Sequence, residues 1–361
     1  MFETHDAAQR RGPFAPSFSP YDSSVAGIHD VAKRAGVSTA TVSRVLSNKA
    51  PVAPATRKKV LAAVERLGYA PNAWGKNLRM QRTRKLLVTV PDISRPMFSL
   101  ILQGIEDSAN REGYAVLLGD THYDLGREEQ YADMLQQKEA DGLIFLGRKL
   151  SNRVAAIVKK HRDKIAPVVN VLGFRPQLGI PSVQIDNAAA GAEAMDHLYR
   201  LGHRSFGIVT GPDLSFVSAE RLAGALAWAK KQRLERHVTV VSGDFSVDSG
   251  VVGGERLLGR KDPPTAIFCL NDEMAMGVLH TARRHKLRVP EDVSVVGVDD
   301  IRYARYFDPP LTTVAQPMRD MGVHAVRVLI DILRDEHRPP ESVRLPHTLV
   351  VRASTGPPSR W

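Results

Sequence analysis

The sequence predicts an α/β chain in two parts: a three-helix head containing a helix-turn-helix, then a larger body of two lobes with parallel sheets. Three observations predict it. Residues 27–69 carry the apolar spacing of three short helices, residues 86–315 alternate short apolar strands with amphipathic helices, and the excess positive charge is confined to residues 27–85.

In the head, Ile28, Val31, Ala32 and Ala35 recur at helical spacing, and Gly36-Val37 interrupts them where a left-handed residue would end a helix. Ser38 stands where an N-cap is wanted. The next helix, Thr39 to Leu46, turns Val42, Val45 and Leu46 inward and leaves Thr39, Ala40, Ser43, Arg44 and Ser47 outside. Small hydroxyls, an alanine and one arginine suit the floor of a DNA major groove, where arginine bonds a guanine edge and methyl groups meet thymine. Pro54 and Gly68 frame a third helix with Val60, Val64 and Leu67 inward. A three-helix cap with a merely solvated basic face has the same helix pattern.

Charge separates the two readings. Residues 27–85 hold 13 Lys and Arg against Asp30 and Glu65, a net +11, which equals the excess of the whole chain (50 against 39). The remainder balances at 37 against 37, so the charge is a local footprint for nucleic acid rather than a device for solubility. One cysteine, Cys269 in the run TAIFCL, excludes an internal disulfide and a multi-cysteine zinc site and reads as a buried thiol. No apolar run reaches the roughly 20 residues that span a bilayer, and Arg10-Arg11 is followed by no apolar segment, so a cytoplasmic protein with no membrane association is expected. Residues 1–26 read as a disordered tail.

Between head and body, Asn72 can cap a helix from Ala73 to about Arg79 that is too short to be stable alone in water, and Gly75 weakens it further. Leu78, flanked by Lys76, Arg79 and Arg82, has the makings of a wedge for the minor groove. A plain linker whose leucine docks on a neighbour is the alternative.

In the body, strands are expected at 86–91, 115–119, 142–147, 167–171, 206–210, 239–243, 266–270 and 293–298, which fit two smaller sheets better than one. Ligands of open α/β sheets bind beyond the strands' carboxyl ends. Polar residues concentrate there: Asp92, Asp120-Thr121, Asp244, Asn271-Asp272 and Asp299-Asp300, with Arg221 opening a helix. Each alone is equally a helix cap or an ion pair. Together, Arg221 and Asp299 offer bonds to ligand hydroxyls, and Met97, Phe98 and Phe245 offer an apolar or stacking wall.

IHDVAKRAGVSTATVSRVLS, TRKKVLAAVERLGYAPN, VPDISRPMF, CLNDEMAMGVL and VVGVDD resemble the LacI/GalR family of transcriptional repressors from about residue 27 to 355. The Gly75-Lys76-Asn77 hinge and VPDISRPMFSLILQGIEDSANREGYAVLLGD are most similar to its cytidine repressor subgroup, although most members show Ala-Arg near Gly75-Lys76. The resemblance implies a periplasmic-binding-protein-like body and places effector contacts on Met97, Phe98, Arg221, Phe245, Asn271 and Asp299, and more weakly on Gln316. It implies base reading by Thr39, Ala40 and Arg44, backbone contacts from Ser38, Ser43, Thr56, Tyr69 and Asn72, and minor-groove insertion of Leu78. One departure is Leu172, where the family commonly has Asp or Asn, so a polar ligand contact is missing there and Asn170, on the opposite strand face, does not replace it.

The domains expected are a tail (1–26), the DNA-binding head (27–71), a hinge (72–85), a body (86–355) and a short tail (356–361). The lobes are expected at 86–187 plus 316–338 and at 188–315 plus 339–355. The function implied is a sequence-specific DNA-binding regulator, in the repressor mould, under the control of a small-molecule effector, a sugar or nucleoside. A single helix-turn-helix reads one half-site, so a homodimer on a near-palindromic operator is expected. Part of the dimer face is assigned to residues 98–113 through Leu100, Ile101, Gly104, Ile105 and Ala109, a stripe equally suited to packing on its own sheet. No tetramerisation heptads are present at the C-terminus.

Enzymatic readings are weaker. The glycines of GVVGGER (250–256) do not form G-x-G-x-x-G after a strand, no phosphate-binding or nucleophile-elbow motif occurs, and no histidine pair has metal spacing. No cofactor is expected. The two alternatives, an NAD-type doubly wound enzyme and a two-lobed binding protein without regulatory role, leave the basic head unexplained.

Overall fold

The computed structural model describes residues 26–47, 51–69, 82–147, 151–161, 164–173, 179–213, 215–337 and 341–359. The chain separates into a unit of residues 1–81 and a unit of residues 82–361.

The first unit contains α1 (Ile28–Ala35), α2 (Thr39–Ser47) and α3 (Pro54–Leu67). Val31, Ala32, Val42, Val45, Val60 and Ala63 form its core, with Val64, Leu67 and Tyr69 packed against it. Gly36 takes φ +66°, and its N–H donates back to Ala32 and Lys33, so α1 stops where the turn must begin. The Ser38 hydroxyl accepts from the Thr41 N–H at 3.2 Å, the expected cap of α2.

In the second unit, one sheet holds β1 (Lys85–Val90), β2 (Ala115–Asp120), β3 (Gly142–Phe145), β4 (Val168–Val171), β5 (Ser182–Ile185) and β11 (Val343–Leu345) in the order β11-β5-β4-β3-β1-β2. The other holds β6 (Phe206–Val209), β7 (Val238–Val241), β8 (Ala266–Cys269), β9 (Ser294–Asp299), β10 (Thr312–Ala315) and β12 (Thr348–Val350) in the order β12-β10-β9-β8-β6-β7. Every pairing is parallel except β10 with β12. The helices are α4 (Pro96–Arg111), α5 (Leu125–Gln136), α6 (Asn152–Lys160), α7 (Asn187–Arg200), α8 (Phe216–Lys231), α9 (Val247–Leu258), α10 (Asp272–Arg284) and α11 (Met318–Arg334).

Four strands were not expected: β5, β10, β11 and β12. All are three or four residues long, and none holds more than two consecutive apolar residues. Because β11 pairs with β5, residues 343–345 belong to the first lobe. The expected assignment of 339–355 to the second lobe is corrected, and the last crossing falls at 346–347.

Helix α4 corrects a second expectation. Ile101, Gly104, Ile105 and Ala109 are buried within their own lobe, where α4 lies on α11 so closely that a Cβ on Gly104 would stand 2.0 Å from the Arg319 carbonyl oxygen. That stripe is core, and only Leu100 of the five keeps partial exposure. Cys269 is fully buried, and burial followed by the nearby Asp272 raises its thiol pKa, as suits a packing residue.

His203 is a buried tie. Its Nδ1 pairs with Thr265 Oγ1 at 2.9 Å, and its Nε2 with Ser294 Oγ at 3.0 Å and the Gly356 carbonyl at 2.9 Å, joining β8, β9 and the C-terminal segment. Burial lowers its pKa to about 4 from the ordinary 6.5, against the pull of the Gly356 carbonyl. A base depressed in this way contributes stability above its unfolded pKa that is lost as pH falls through the folded one. Thermal melts between pH 7 and pH 4 should therefore show an acid-side loss, on the order of 2–3 kcal/mol, that is absent in His203→Gln.

Candidate functional site

Two sets of residues stand out. On α2 of the head, Val42 and Val45 are buried, Ala40 and Arg44 are exposed, and Thr39 and Ser43 are half-buried on the outward side, with Ser38 exposed ahead of them. The helix therefore presents the residues expected to read bases on one face. Thr56, near the start of α3, and Tyr69 are half-buried, and Tyr69 packs on the head's core. Asn72 and Leu78 lie outside the described residues.

The second set lines a cleft between the two sheets of the body. Parallel strands that point the same way deliver their carboxyl ends together. Pro91 follows β1, Tyr123 follows β2, Leu146 and Gly147 follow β3, and Leu172 and Gly173 follow β4. From the other lobe come Phe245 after β7, Asn271 after β8, Asp299 at the end of β9, and Ser215, Phe216, Val217 and Arg221 around the start of α8. Arg95, Met97 and Phe98, at the start of α4, complete the lining. Four lining residues hold left-handed backbone: Tyr123 (φ +60°), Leu172 (φ +79°), Phe245 (φ +76°) and Asp299 (φ +122°). Each such conformation costs roughly 1–3 kcal/mol unless its surroundings impose it, and such strain clusters where a site needs it.

The charge at the centre is built by helix packing. A Cβ on Gly191 of α7 would lie 2.1 Å from the Arg221 carbonyl oxygen, and one on Gly224 of α8 would lie 1.9 Å from that of Ala188, so the two helices touch backbone to backbone. This brings Asn187 Oδ1 to 3.0 Å from Arg221 Nε, while Nη1 donates to the Leu270 carbonyl at 2.5 Å. Nη2 makes no hydrogen bond and stands 3.6 Å from Asp299 Oδ1. Gln316 Nε2 donates to that same oxygen at 2.6 Å. Behind it, the buried Asp272 accepts from Thr313 Oγ1 at 2.6 Å and the Ile301 N–H at 2.9 Å. Burial opposes every charge in this group. It raises the Asp272 carboxyl well above the carboxylate range, aided by Asp299, and lowers the Arg221 pKa despite Asp299. The Asp299 carboxyl is pushed up to about 6, against the pull of Arg221 and Arg95.

Six of the seven residues expected to bind the effector line the cleft: Met97, Phe98, Arg221, Phe245, Asn271 and Asp299. Gln316 sits one step back, as the partner of Asp299. Asn271 also does the work of a helix cap, since its Oδ1 accepts from the Met274 N–H and its Nδ2 donates to the Phe245 carbonyl. Leu172 presents an apolar side chain to the cleft, and Asn170 is buried elsewhere, bonded to the Phe145 carbonyl and the Gly173 N–H.

Sequence reasoning missed Arg95 and Glu273. Arg95 is 8% exposed; its Nε and Nη2 donate to Glu273 Oε2 at 3.0 and 2.9 Å, Nη2 also to the Phe245 carbonyl at 3.3 Å, and Nη1 to Tyr123 Oη at 3.3 Å. Burial works against this charge, yet Glu273 and Tyr123 raise its pKa overall. The available signal was an arginine inside SRPMF, two residues before the expected wall residue Met97. Among the described residues, no group of His, Cys, Asp and Glu side chains could hold a metal ion, and no helix is long and apolar enough to cross a membrane.

Comparison with known proteins decides the family. Residues 27–72 match the bacterial regulatory proteins of the lacI family, and residues 195–355 match the periplasmic binding protein-like domain. The chain is 38% identical over 331 residues to the HTH-type transcriptional repressor CytR of Escherichia coli (strain K12), covering 91% of this chain and 96% of that one. It belongs to the LacI family. It is 36% identical to catabolite control protein A of Priestia megaterium over 91% of this chain and 98% of that one. The structure of the lac repressor dimer bound to operator and the anti-inducer ONPF superposes with a TM-score of 0.83 at 28% identity, covering 92% of this chain and 99% of that one. A complex of the regulator CelR with cellobiose gives 0.68 at 30% identity, covering 91% and 99%. As a LacI-family member the chain is a DNA-binding transcriptional regulator and not an enzyme.

The cleft of this LacI-family chain should respond to acid. Its Asp299 has a folded pKa above the ordinary 3.8, so the protonated form contributes stability that is complete below about pH 4 and lost as pH rises through about 6. Melts of the parent and of Asp299→Asn should therefore diverge across that window, the parent's midpoint falling relative to the variant's as pH rises. Parallel curves would mean that the carboxyl titrates as it does in the unfolded chain.

Proposed function

We propose that this protein represses transcription as a homodimer on a near-palindromic operator, in the cytoplasm, and that a sugar or nucleoside held between the lobes of its body sets its affinity for DNA. The domain scheme is a reading head over 27–71, a hinge over 72–85, and a sensing body beyond it. The observation that carries the effector assignment is the pair Arg221 and Asp299. A buried guanidinium whose Nη2 makes no hydrogen bond, beside a buried carboxyl, offers a donor and an acceptor to ligand hydroxyls, and Phe98, Phe245, Met97 and Leu172 provide the apolar wall that a ring requires. Asn271 and Gln316 hold this pair and its surroundings in place and complete the set of effector residues. The related regulator solved with cellobiose supports a carbohydrate-like ligand.

In the head, Thr39, Ala40 and Arg44 read bases, while Ser38, Ser43, Thr56, Tyr69 and Asn72 set the register on the backbone and Leu78 enters the minor groove. The exposure of Ala40 and Arg44 on one face of α2 supports this reading. Selection from a random duplex pool should recover a two-fold related site. On it, Arg44→Ala should weaken binding by roughly 1–3 kcal/mol and relax preference at one position in each half. Equal losses on selected and random DNA would reduce Arg44 to a phosphate contact.

A further inference from the structure

Arg95 bridges the two lobes of the body across the cleft. Its backbone belongs to the first lobe, at the start of α4, whereas Glu273, on the first turn of α10, and the Phe245 carbonyl belong to the second. The guanidinium also lies over two rings, 5.8 Å from the centre of Phe98 and 5.4 Å from that of Phe245. Those are the rings that form the stacking wall of the cleft, one from each lobe. Arg95 therefore stands where a flat ligand would stack, and three of its nitrogens are engaged: Nε and Nη2 by Glu273 and the Phe245 carbonyl, and Nη1 by Tyr123.

We propose that Arg95 is a resident occupant of the cleft, which pins the two lobes together through Glu273, fills the aromatic slot in the absence of effector, and is displaced when an effector binds. This rests on the cleft being the effector site. Displacement also dictates ligand chemistry. Once the guanidinium leaves, the Phe245 carbonyl keeps the Asn271 amide as its donor, but the Glu273 carboxylate loses the two bonds it accepts from Arg95, a costly state inside a partly desolvated cleft. The incoming group must offer N–H or O–H bonds to Glu273 and a flat face to the two rings. An anion meets the carboxylate of Glu273 and is excluded. The class selected is an uncharged ring bearing amino or hydroxyl donors.

The pin is testable in the full chain without any ligand. Gln130 on α5 and Val252 on α9 are exposed, one on each lobe, and Cys269 is fully buried, so spin labels on Gln130→Cys and Val252→Cys report the distance between lobes by pulsed electron paramagnetic resonance. The parent should give a narrow distribution. Arg95→Met, which keeps bulk without charge, and Glu273→Gln should both broaden it toward longer distances, and Arg95→Lys should fall between. A parent-like distribution in Arg95→Met and Glu273→Gln, with broadening only in Arg95→Ala, would make Arg95 a packing residue and overturn the proposal. Calorimetry with adenosine as the flat donor-bearing probe and orotate as the flat anionic one tests displacement. Adenosine should bind Arg95→Ala at least tenfold more tightly than the parent, with no gain for orotate. No gain for adenosine, or an equal gain for orotate, overturns the displacement step. Failure of the effector reading itself shows elsewhere, as operator binding that no sugar or nucleoside alters.

Discussion

A fully buried guanidinium organises the body of this protein. Taking a charge such as that of Arg221 out of water costs several kcal/mol unless its donors and its charge are met. Asn187 and the Leu270 carbonyl meet part of that demand, Asp299 stands at 3.6 Å, and Nη2 is left without a hydrogen bond. The glycines at 191 and 224 exist in this arrangement because α7 and α8 must touch for Asn187 to reach Arg221. Gln316, on the segment that returns the chain to the first lobe, holds the carboxyl of Asp299 in turn. Under the proposed function, stability and ligand recognition draw on one group: the fold leaves Nη2 without a hydrogen bond, and a ligand hydroxyl would supply it.

The connections explain why such a ligand has leverage. The chain passes between the lobes near residues 186, 316 and 346, and each lobe keeps its own sheet on either side. Short crossings of this kind let two rigid bodies change their angle with little internal rearrangement. Side chains that reach across the cleft then bias one angle over another, and a ligand acts by its differential affinity for the two. The left-handed backbone at Leu172, Phe245 and Asp299 keeps these loops in shapes that ordinary turns would not take.

Much of this was legible in the amino-acid order. Alternating apolar runs and helices announced a doubly wound body, and the polar residues after strands marked the end of the sheets where the cleft lies. Arg221, Asp299, Phe98 and Phe245 were found because residue type and position agreed. Short strands such as SVQI and VRL escaped because their burial comes from neighbours 150 residues or more away in some cases and not from their own hydrophobicity, as the pairing of Val343 with Val183 illustrates. Arg95 escaped for a related reason. Nothing local distinguishes an arginine that faces solvent from one drawn inward by a glutamate 178 positions later. The stripe on α4 misled because a buried face looks the same whether a second chain or the protein's own α11 covers it.

Under the proposed function, the pocket around Arg221 and the reading head of the same chain are thermodynamically coupled. Coupling of this kind is reciprocal: whatever factor an effector applies to operator affinity, the operator must apply to effector affinity. The direct measurement is a pair of titrations in the full-length protein, using the sugar or nucleoside that most raises its thermal midpoint. Operator binding is followed with and without that ligand, and ligand binding with and without operator. Equal factors are expected in the two directions, both collapsing to one in Arg221→Lys. Ligand affinity that is indifferent to operator, or a response that survives in Arg221→Lys, would contradict that coupling.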